Sequence, residues 1–195
     1  MQKELRIQTP IILASASPRR KQLIDLAFSD VEILPSNADE SKVVCESIEF
    51  LTEELAELKA MDIASKRKDK PVIGCDTVVI FDNKILGKPK TEDDAIRMLS
   101  ELSGRTHTVS TGCCIIHNGR SLKFHVESKV RFFALSDELI RAYVSTGEPM
   151  DKAGSYGIQE RGALLVEKID GDYFNIVGLP IAALMRNFIK FENEK

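Results

Sequence analysis

A serine, a proline and two adjacent arginines follow a short apolar run near the beginning of the sequence, as Ser17-Pro18-Arg19-Arg20. Ser17 is typical of an N-cap and Pro18 of a first helical residue, so the sequence predicts a helix from Arg19 to about Ala27. Two guanidinium groups at the positive end of a helix oppose its dipole, so a stabilising role explains them poorly. They suit a site that holds phosphate groups, and an exposed basic first turn is the alternative.

A carboxylate lies inside one of the most apolar segments of the chain, which runs from Pro71 to Phe81. Its β-branched residues predict a buried strand, and Asp76 is in the middle of it. A buried carboxylate costs free energy unless a cation or hydrogen-bond donors satisfy it. Asp76 is therefore predicted to bind a metal ion or to act as a base, and the alternative is an aspartate that caps a neighbouring loop.

Three further charged residues are weaker candidates. Lys88 precedes Pro89, which favours an extended backbone and a defined direction for the lysine side chain. Lys59 falls in a predicted long helix and Glu40 in a predicted loop, where each is compatible with an ordinary surface residue.

The stretch from Asp151 to Gln159 is rich in glycine and contains little core material. Polar side chains on such a backbone suit contact with a ligand. An ordinary turn with an ion pair between Asp151 and Lys152 is the alternative.

The sequence lacks the motifs and the charge pattern that indicate several other classes of function. The sequence has no phosphate-binding P-loop, no dinucleotide-binding glycine motif and no G-x-S-x-G motif, and its 3 histidines lack zinc-ligand spacing. The formal net charge of −3 disfavours a protein that binds nucleic acid through its phosphates. No apolar run approaches the length of a membrane span, and the 4 cysteines are expected to be reduced, buried thiols of a cytoplasmic protein.

Alternating strand and helix patterns must position these residues. The predicted strands cover residues 11–14, 31–34, 71–81, 85–86, 106–116, 121–135 and 163–169. The predicted helices cover residues 19–27, 47–66, 91–104 and 136–145, with a last helix that begins at Pro180. Thr91 and Ser136 are predicted N-caps, and Asp82-Asn83 and Asn118-Gly119 are predicted turns between strands. The apolar face predicted for the helix over residues 47–66 consists of Ile48, Leu51, Leu55, Leu58 and Met61. Interleaved strands and helices with one long hairpin predict an α/β fold with a mixed, twisted sheet flanked by helices.

Taken together, the segments resemble the Maf family of nucleotide pyrophosphatases along the whole chain. Each block is a modest signal alone, and their shared order and spacing is specific. The matching blocks are Ser15-Ala16-Ser17-Pro18-Arg19-Arg20, Asp76-Thr77-Val78-Val79, Gly87-Lys88-Pro89, Leu102-Ser103-Gly104 with His107, Val109, Thr111 and Gly112, Asp151-Lys152-Ala153-Gly154-Ser155-Tyr156-Gly157-Ile158-Gln159 and Asn175-Ile176-Val177-Gly178-Leu179-Pro180.

The resemblance implies an inosine-triphosphatase-like fold, with residues 1–195 as a single domain of two lobes around a central cleft. It makes Asp76 the general base, and it implies a divalent cation, Mg²⁺ or Mn²⁺, held by Asp76 and Glu40. The residues implied in substrate binding are Ser17, Arg19, Arg20, Lys59, Thr77, Lys88, Asp151, Lys152 and Gln159.

Three residues make the chain similar to the branch of the family that acts on dTTP and UTP, namely Arg19, Thr77 and Gln159. The branch that prefers methylated GTP has tryptophan after the S-P pair, and this sequence has none. Thr77 and Gln159 are expected to read the pyrimidine edge. Glu160 and Arg161 depart from the small residues usual in the family at these positions, which leaves fine substrate preference open.

The expected reaction is the release of pyrophosphate from a nucleoside triphosphate in the cytoplasm, with a role in clearing the nucleotide pool and in arresting cell division. A non-catalytic regulator of septum formation that acts through a protein partner is the alternative. No nucleic acid or membrane partner is expected, and the oligomeric state stays open between a monomer and a homodimer.

Overall fold

A computed structural model describes residues 5–43, 45 and 47–194. The strands are β1 (Ile11–Leu13), β2 (Val31–Ile33), β3 (Val72–Phe81), β4 (Lys84–Leu86), β5 (Thr106–His117), β6 (Arg120–Phe132) and β7 (Val166–Asp170). The α-helices are α1 (Pro18–Ile24), α2 (Leu51–Ala64), α3 (Glu92–Leu102), α4 (Asp137–Val144), α5 (Tyr173–Val177) and α6 (Ile181–Asn193). Short 3₁₀ turns cover residues 40–42, 48–50, 148–151, 153–155 and 160–165.

The sheet is mixed, as the sequence predicts. The strand order is β2-β1-β3-β5-β6-β7, and β4 pairs with β3. β1 pairs in parallel with β2 and with β3, so that Ile12 lies opposite Glu32 on one side and Val72 on the other. The pairs β3–β4 and β6–β7 are antiparallel.

Local signals place the ends of several elements. The side chains of Ser17, Thr91 and Ser136 accept hydrogen bonds from the first turns of α1, α3 and α4, so all three predicted N-caps are confirmed. The pairs Asp82-Asn83 and Asn118-Gly119 have positive φ angles, as two-residue hairpin turns require.

The chain divides into two compact units. Unit 1 contains residues 1–76, 111–126 and 178–195, and unit 2 contains residues 77–110 and 127–177. The core of unit 1 joins α2 to the sheet through small and branched residues, among them Ala56, Ala60 and Ile63. The core of unit 2 is richer in aromatic rings, with Phe132 and Tyr156 packed edge to face at 4.7 Å between ring centroids.

Some element predictions are wrong in detail. The apolar face predicted for the long helix includes Met61, which is 49% exposed, whereas α2 buries Ala56 and Ala60 completely. The last strand begins at Val166 instead of Ala163, because residues 160–165 form 3₁₀ turns. The short helix α5 is missing from the prediction, since five residues carry too little periodicity to indicate a helix.

Candidate active site

Strand β3 places the predicted catalytic carboxylate at a nearly buried position in unit 1. Asp76 is 9% exposed and follows four residues of β3 that are all buried. Its Oδ1 atom accepts a hydrogen bond from Lys59 Nζ at 2.5 Å. The neighbour that satisfies this carboxylate is therefore a cation on α2, and capping of a loop is not needed to explain Asp76.

Lys59 joins two carboxylates. Its Nζ atom also lies 2.9 Å from Glu40 Oε1, and its side chain is only 15% exposed. Glu40 itself is 55% exposed at the level of its side chain. The structure thus brings together the predicted base, the predicted acidic metal ligand and one predicted phosphate-binding lysine. Glu40 and Lys59 are therefore not isolated surface residues. We call Glu40, Lys59 and Asp76 the acid–lysine cluster.

Arg20 binds the segment that leads into this cluster. Its Nη1 atom donates to the carbonyl oxygen of Cys75 at 2.9 Å, and its Nε atom donates to that of Gly178 at 2.8 Å. Arg20 therefore ties α1 to the residue before Asp76 and to the block that precedes α6. Arg19 and Ser17 lie beside it at the start of α1, each half-buried.

Two glycines explain how α2 comes close enough to the sheet for Lys59 to reach Asp76. A Cβ atom on Gly74 would lie 2.1 Å from the carbonyl oxygen of Ala56. A Cβ atom on Gly112 would lie 2.2 Å from the carbonyl oxygen of Thr52. Backbone therefore packs directly on backbone at both positions, which only glycine permits. Glycine inside an apolar strand is a sequence signal for such close approach, although Gly74 and Gly112 were not among the predicted site residues.

Unit 2 carries the remaining predicted residues. Thr77 follows Asp76 in β3 and is half-buried, and Lys88 is exposed after the β4 strand. The carbonyl oxygen of Gly87 accepts a hydrogen bond from Gly154 N at 3.1 Å, which holds the segment around Lys88 against the loop that begins at Asp151.

Lys152 is used within its own loop. Its Nζ atom donates to Asp151 Oδ1 at 2.7 Å and to the carbonyl oxygen of Glu148 at 2.6 Å, and its side chain is 14% exposed. The local ion pair offered above as the alternative for this loop is present. Asp151 is 66% exposed at its side chain, and Gln159 is half-buried. A surface cavity of about 860 Å³ in unit 2 has Asp151, Lys152 and Glu148 in its lining.

Two of the buried cysteines, Cys113 and Cys114, are not activated nucleophiles. All four belong to the described residues and are free thiols, and Cys75, Cys113 and Cys114 are buried. Cys45 is half-buried, so the expectation of buried thiols is wrong for that one residue. Burial raises the pKa of Cys113 and of Cys114, which keeps both thiols protonated and unreactive.

The acid–lysine cluster fits a divalent cation. Carboxylate oxygens are the ligands that Mg²⁺ and Mn²⁺ prefer, and here two carboxylates already converge on the positive charge of Lys59. Within the described part of the chain, no group of three or more His, Cys, Asp or Glu side chains forms a complete set of metal ligands. A cation at this cluster would therefore need further oxygen ligands, which the phosphates of a nucleotide can provide.

None of the helices among the described residues combines the length and apolar character needed to cross a membrane.

Comparisons with known proteins agree with the resemblance that the sequence motifs indicate. The model of a family described as Maf-like protein matches residues 10–191. The dTTP/UTP pyrophosphatase of Thermococcus onnurineus is 50% identical over 171 residues, which cover 88% of this chain and 92% of that protein. The dTTP/UTP pyrophosphatase of Thermosipho africanus is 51% identical over 172 residues, which cover 88% of each. That of Bacillus cereus is 46% identical over 182 residues, which cover 93% of this chain and 95% of the relative.

Among solved structures, the Ham1 protein of Staphylococcus aureus matches with a TM-score of 0.56 and 14% identity. The match covers 94% of this chain and 100% of that chain. At this identity the likeness concerns the fold alone. It confirms the predicted inosine-triphosphatase-like α/β fold with a mixed sheet flanked by helices.

Proposed function

Because the chain belongs to the Maf-like protein family, we propose that it is a nucleoside triphosphate pyrophosphatase that converts dTTP and UTP to the monophosphate and pyrophosphate. The relatives that carry this name match most of the chain at 45% identity or more. The observation in the structure that supports the proposal best is the acid–lysine cluster. A nearly buried carboxylate bonded to a lysine that also binds a second carboxylate places a proton acceptor beside a fixed positive charge, which suits acid–base chemistry on a phosphate.

In the proposed reaction, Asp76 orients a water molecule and accepts its proton as the water oxygen bonds to the α-phosphorus. The bond between the α-phosphorus and the oxygen that bridges to the β-phosphate breaks, and pyrophosphate leaves with the electron pair of that bond. Lys59 offsets the negative charge of the carboxylates beside it. Its amine lies within hydrogen-bond distance of Asp76 before substrate binds, so the base is positioned in advance.

The charge of the triphosphate would be offset by the basic residues of the blocks that resemble the Maf family. Arg19 provides a rigid guanidinium group that can bind phosphate oxygens through two donors. Arg20, whose Nε and Nη1 atoms donate to the carbonyl oxygens of Gly178 and Cys75, would add its fixed positive charge. Lys88 is exposed and can extend toward a ligand, whereas Lys59 is confined by its two carboxylates. Ser17 contributes its hydroxyl group at the start of α1.

Base recognition would fall to Thr77 and Gln159, whose side chains can donate and accept hydrogen bonds on a pyrimidine edge. Asp151 and Lys152 belong to the same loop as Gln159. Since Lys152 is bonded to Asp151 and Glu148, its contribution to substrate binding would include shaping this loop.

Asp76 and Glu40 would hold a divalent cation together with phosphate oxygens of the substrate. When bound, Mg²⁺ or Mn²⁺ would neutralise part of the phosphate charge and polarise the phosphorus centre. Arg20 would help to place the carboxylate for this role, because it fixes the backbone at Cys75, one residue before Asp76.

The test is pyrophosphate release from a panel of nucleoside triphosphates with Mg²⁺ or Mn²⁺, in the wild-type protein and in Asp76→Asn. We expect release from dTTP and UTP that falls by about 10³-fold in Asp76→Asn, because an amide cannot accept the proton. The matched control is Glu32→Gln, which removes a carboxylate of unit 1 that is also paired with two cations, Arg67 and Lys70. Release that persists in Asp76→Asn at the control level would refute the assignment of the base.

The alternative function, a non-catalytic regulator of septum formation, predicts no release from any nucleotide. Cytoplasmic location and roles in nucleotide-pool clearance or division arrest are part of the proposal. They can be examined once the reaction is established, since a catalytically inactive Asp76→Asn protein separates effects of turnover from effects of binding.

A further inference from the structure

A short segment that contains Gln159 is fixed on both sides by the same pair of side chains. We call residues 157–162 the recognition segment. Before Gln159, the backbone N–H of Gly157 donates to the hydroxyl oxygen of Tyr143 at 3.2 Å. After Gln159, the N–H of Gly162 donates to Glu148 Oε1 at 3.2 Å, and the N–H of Arg161 donates to Glu148 Oε2 at 3.3 Å.

Tyr143 and Glu148 are themselves bonded to each other. The Tyr143 hydroxyl group donates to Glu148 Oε1 at 2.9 Å, and Tyr143 is only 4% exposed on helix α4. Burial raises the pKa of Tyr143, so the hydroxyl group keeps the proton that it donates. One phenol and one carboxylate thus connect the core of unit 2 to both sides of the recognition segment.

The segment has little room to move between these bonds. A Cβ atom on Gly162 would lie 1.9 Å from the carbonyl oxygen of Gly157, so the two ends of the segment are in direct backbone contact. A Cβ atom on Gly157 would lie 2.7 Å from Lys152 Cε, whose Nζ atom is bonded to the Glu148 carbonyl oxygen. Glu160 has a φ of 55°, a left-handed conformation that a non-glycine residue keeps only when its surroundings hold it there.

We infer that Glu148, together with Tyr143, is a positioning residue that sets the place of Gln159 and thereby controls which nucleotide base the protein accepts. The inference rests on the proposed function, because it gives Gln159 a base to read. A side chain that reads hydrogen bonds discriminates only when its own position is fixed. Glu148 fixes the backbone after Gln159 directly and the backbone before it through Tyr143, without needing to touch the nucleotide.

The test measures discrimination as the ratio of kcat/KM for dTTP to that for dCTP. In Glu148→Ala we expect this ratio to fall by about tenfold, since a misplacement of about 1 Å can cost about 100-fold and the displacement of Gln159 should be smaller. Gln159→Ala should lower the ratio by itself. Adding Glu148→Ala to Gln159→Ala should change the ratio no further, because the residue acts through Gln159.

Three variants separate positioning from loss of stability. Ile140→Val truncates a buried residue of the same helix, α4, and should lower stability without changing the ratio. Glu148→Gln keeps one acceptor oxygen for Tyr143 and Gly162 and should restore most of the ratio. Tyr143→Phe removes the bond to Gly157 and should lower the ratio in the same direction as Glu148→Ala.

The outcomes distinguish this inference from the proposed function. If the wild-type protein releases no pyrophosphate, or releases it from dTTP and dCTP alike, the proposed function in its dTTP form fails and this inference fails with it. If the wild-type protein discriminates and Glu148→Ala lowers both kcat/KM values equally, only the inference is overturned. An effect of Glu148→Ala that is undiminished in the Gln159→Ala background would also overturn it.

Discussion

Two carboxylates, the nearly buried Asp76 in unit 1 and the half-buried Glu148 in unit 2, are satisfied in different ways. Asp76 is held by the ammonium group of Lys59, at the end of a long side chain. Glu148 is held by the buried hydroxyl group of Tyr143 and by two backbone N–H groups. A lysine can exchange one oxygen partner for another when a ligand arrives, whereas backbone groups cannot leave. The comparison therefore indicates that Asp76 is available for chemistry and that Glu148 is part of the framework.

The packing beneath each carboxylate fits this difference. In unit 1, the backbone of α2 packs directly on Gly74 and Gly112 of the sheet. This close contact brings Lys59 within hydrogen-bond distance of Asp76. In unit 2, aromatic rings fill the core, and His107 packs edge to face against Phe132 and Tyr156 at 5.0 and 5.3 Å between ring centroids. Unit 1 holds its carboxylate with a charged partner, whereas unit 2 holds Glu148 with neutral hydrogen-bond donors.

Among changes to the surroundings of the two carboxylates, removal of the ammonium group that holds Asp76 is expected to have the largest effect. In Lys59→Met, pyrophosphate release should fall by about 100-fold, because the positive charge that offsets the two carboxylates is lost. The free energy of unfolding should fall by about 3 kcal/mol, since Asp76 is left nearly buried without a cation. Steady-state kinetics and urea unfolding measure the two effects.

Lys59→Arg is the matched variant, because it keeps the charge in a different shape. It should retain most of the stability and recover only part of the turnover. Wild-type turnover in Lys59→Met would contradict the role of the acid–lysine cluster in the reaction. It would also mean that Asp76 and Glu148 do not differ in the way proposed here.

The next effect tests whether the core of unit 2 is neutral. His107 is 2% exposed, its Nε2 atom lies 2.7 Å from the Tyr156 hydroxyl oxygen, and no described residue provides a partner for Nδ1. Burial lowers the pKa of His107 from 6.5 to about 4. The unfolded chain therefore binds a proton between these pH values and the folded protein does not, so stability is complete above about pH 6.5 and is lost as the pH falls toward 4.

A shift of this size corresponds to about 3 kcal/mol of unfolding free energy between pH 6.5 and pH 4. Urea unfolding of the wild-type protein and of His107→Gln at several pH values measures it. The variant should lose this part of the pH dependence. His125→Gln, which removes a half-buried histidine bonded to Glu53 in unit 1, should keep it. Equal pH dependence in the wild-type and His107→Gln proteins would contradict the neutral state of this histidine.

The smallest of these effects concerns the glycine contact in unit 1. In Gly74→Ala, the new methyl group would overlap the backbone of α2, and the free energy of unfolding should fall by about 2 kcal/mol. Turnover should fall as well, because α2 carries Lys59. The control for stability is Gly87→Ala, whose added Cβ atom would have no heavy atom within 4 Å. Equal unfolding free energies in the two variants would show that α2 can move without cost.

The sequence predicts best what is decided locally. N-caps such as Ser17 and Thr91 and the turn at Asn118-Gly119 depend on a few neighbouring residues, and the structure confirms each of them. The buried position of Asp76 could also be predicted, because its strand is apolar on both faces. A run that is apolar throughout, rich in β-branched residues and about as long as a strand indicates a strand buried on both faces.

The sequence fails where tertiary contact decides. The buried face of α2 consists of small residues such as Ala56 and Ala60, because the helix packs on glycine, and a search for large apolar residues selects Met61 instead. Glu148 looks like a surface glutamate in the sequence, since its partners at Tyr143, Arg161 and Gly162 are 5 to 14 positions away. The placement of Lys59 and Glu40 beside Asp76 came from the family resemblance and not from their own sequence neighbourhoods.

The most direct test of the central claim is turnover of dTTP in water enriched in ¹⁸O, followed by mass analysis of both products. Attack of water on the α-phosphorus, with Asp76 as the base, predicts one ¹⁸O atom in the nucleoside monophosphate and none in the pyrophosphate. Label in the pyrophosphate, or release of inorganic phosphate in its place, would contradict the proposed reaction.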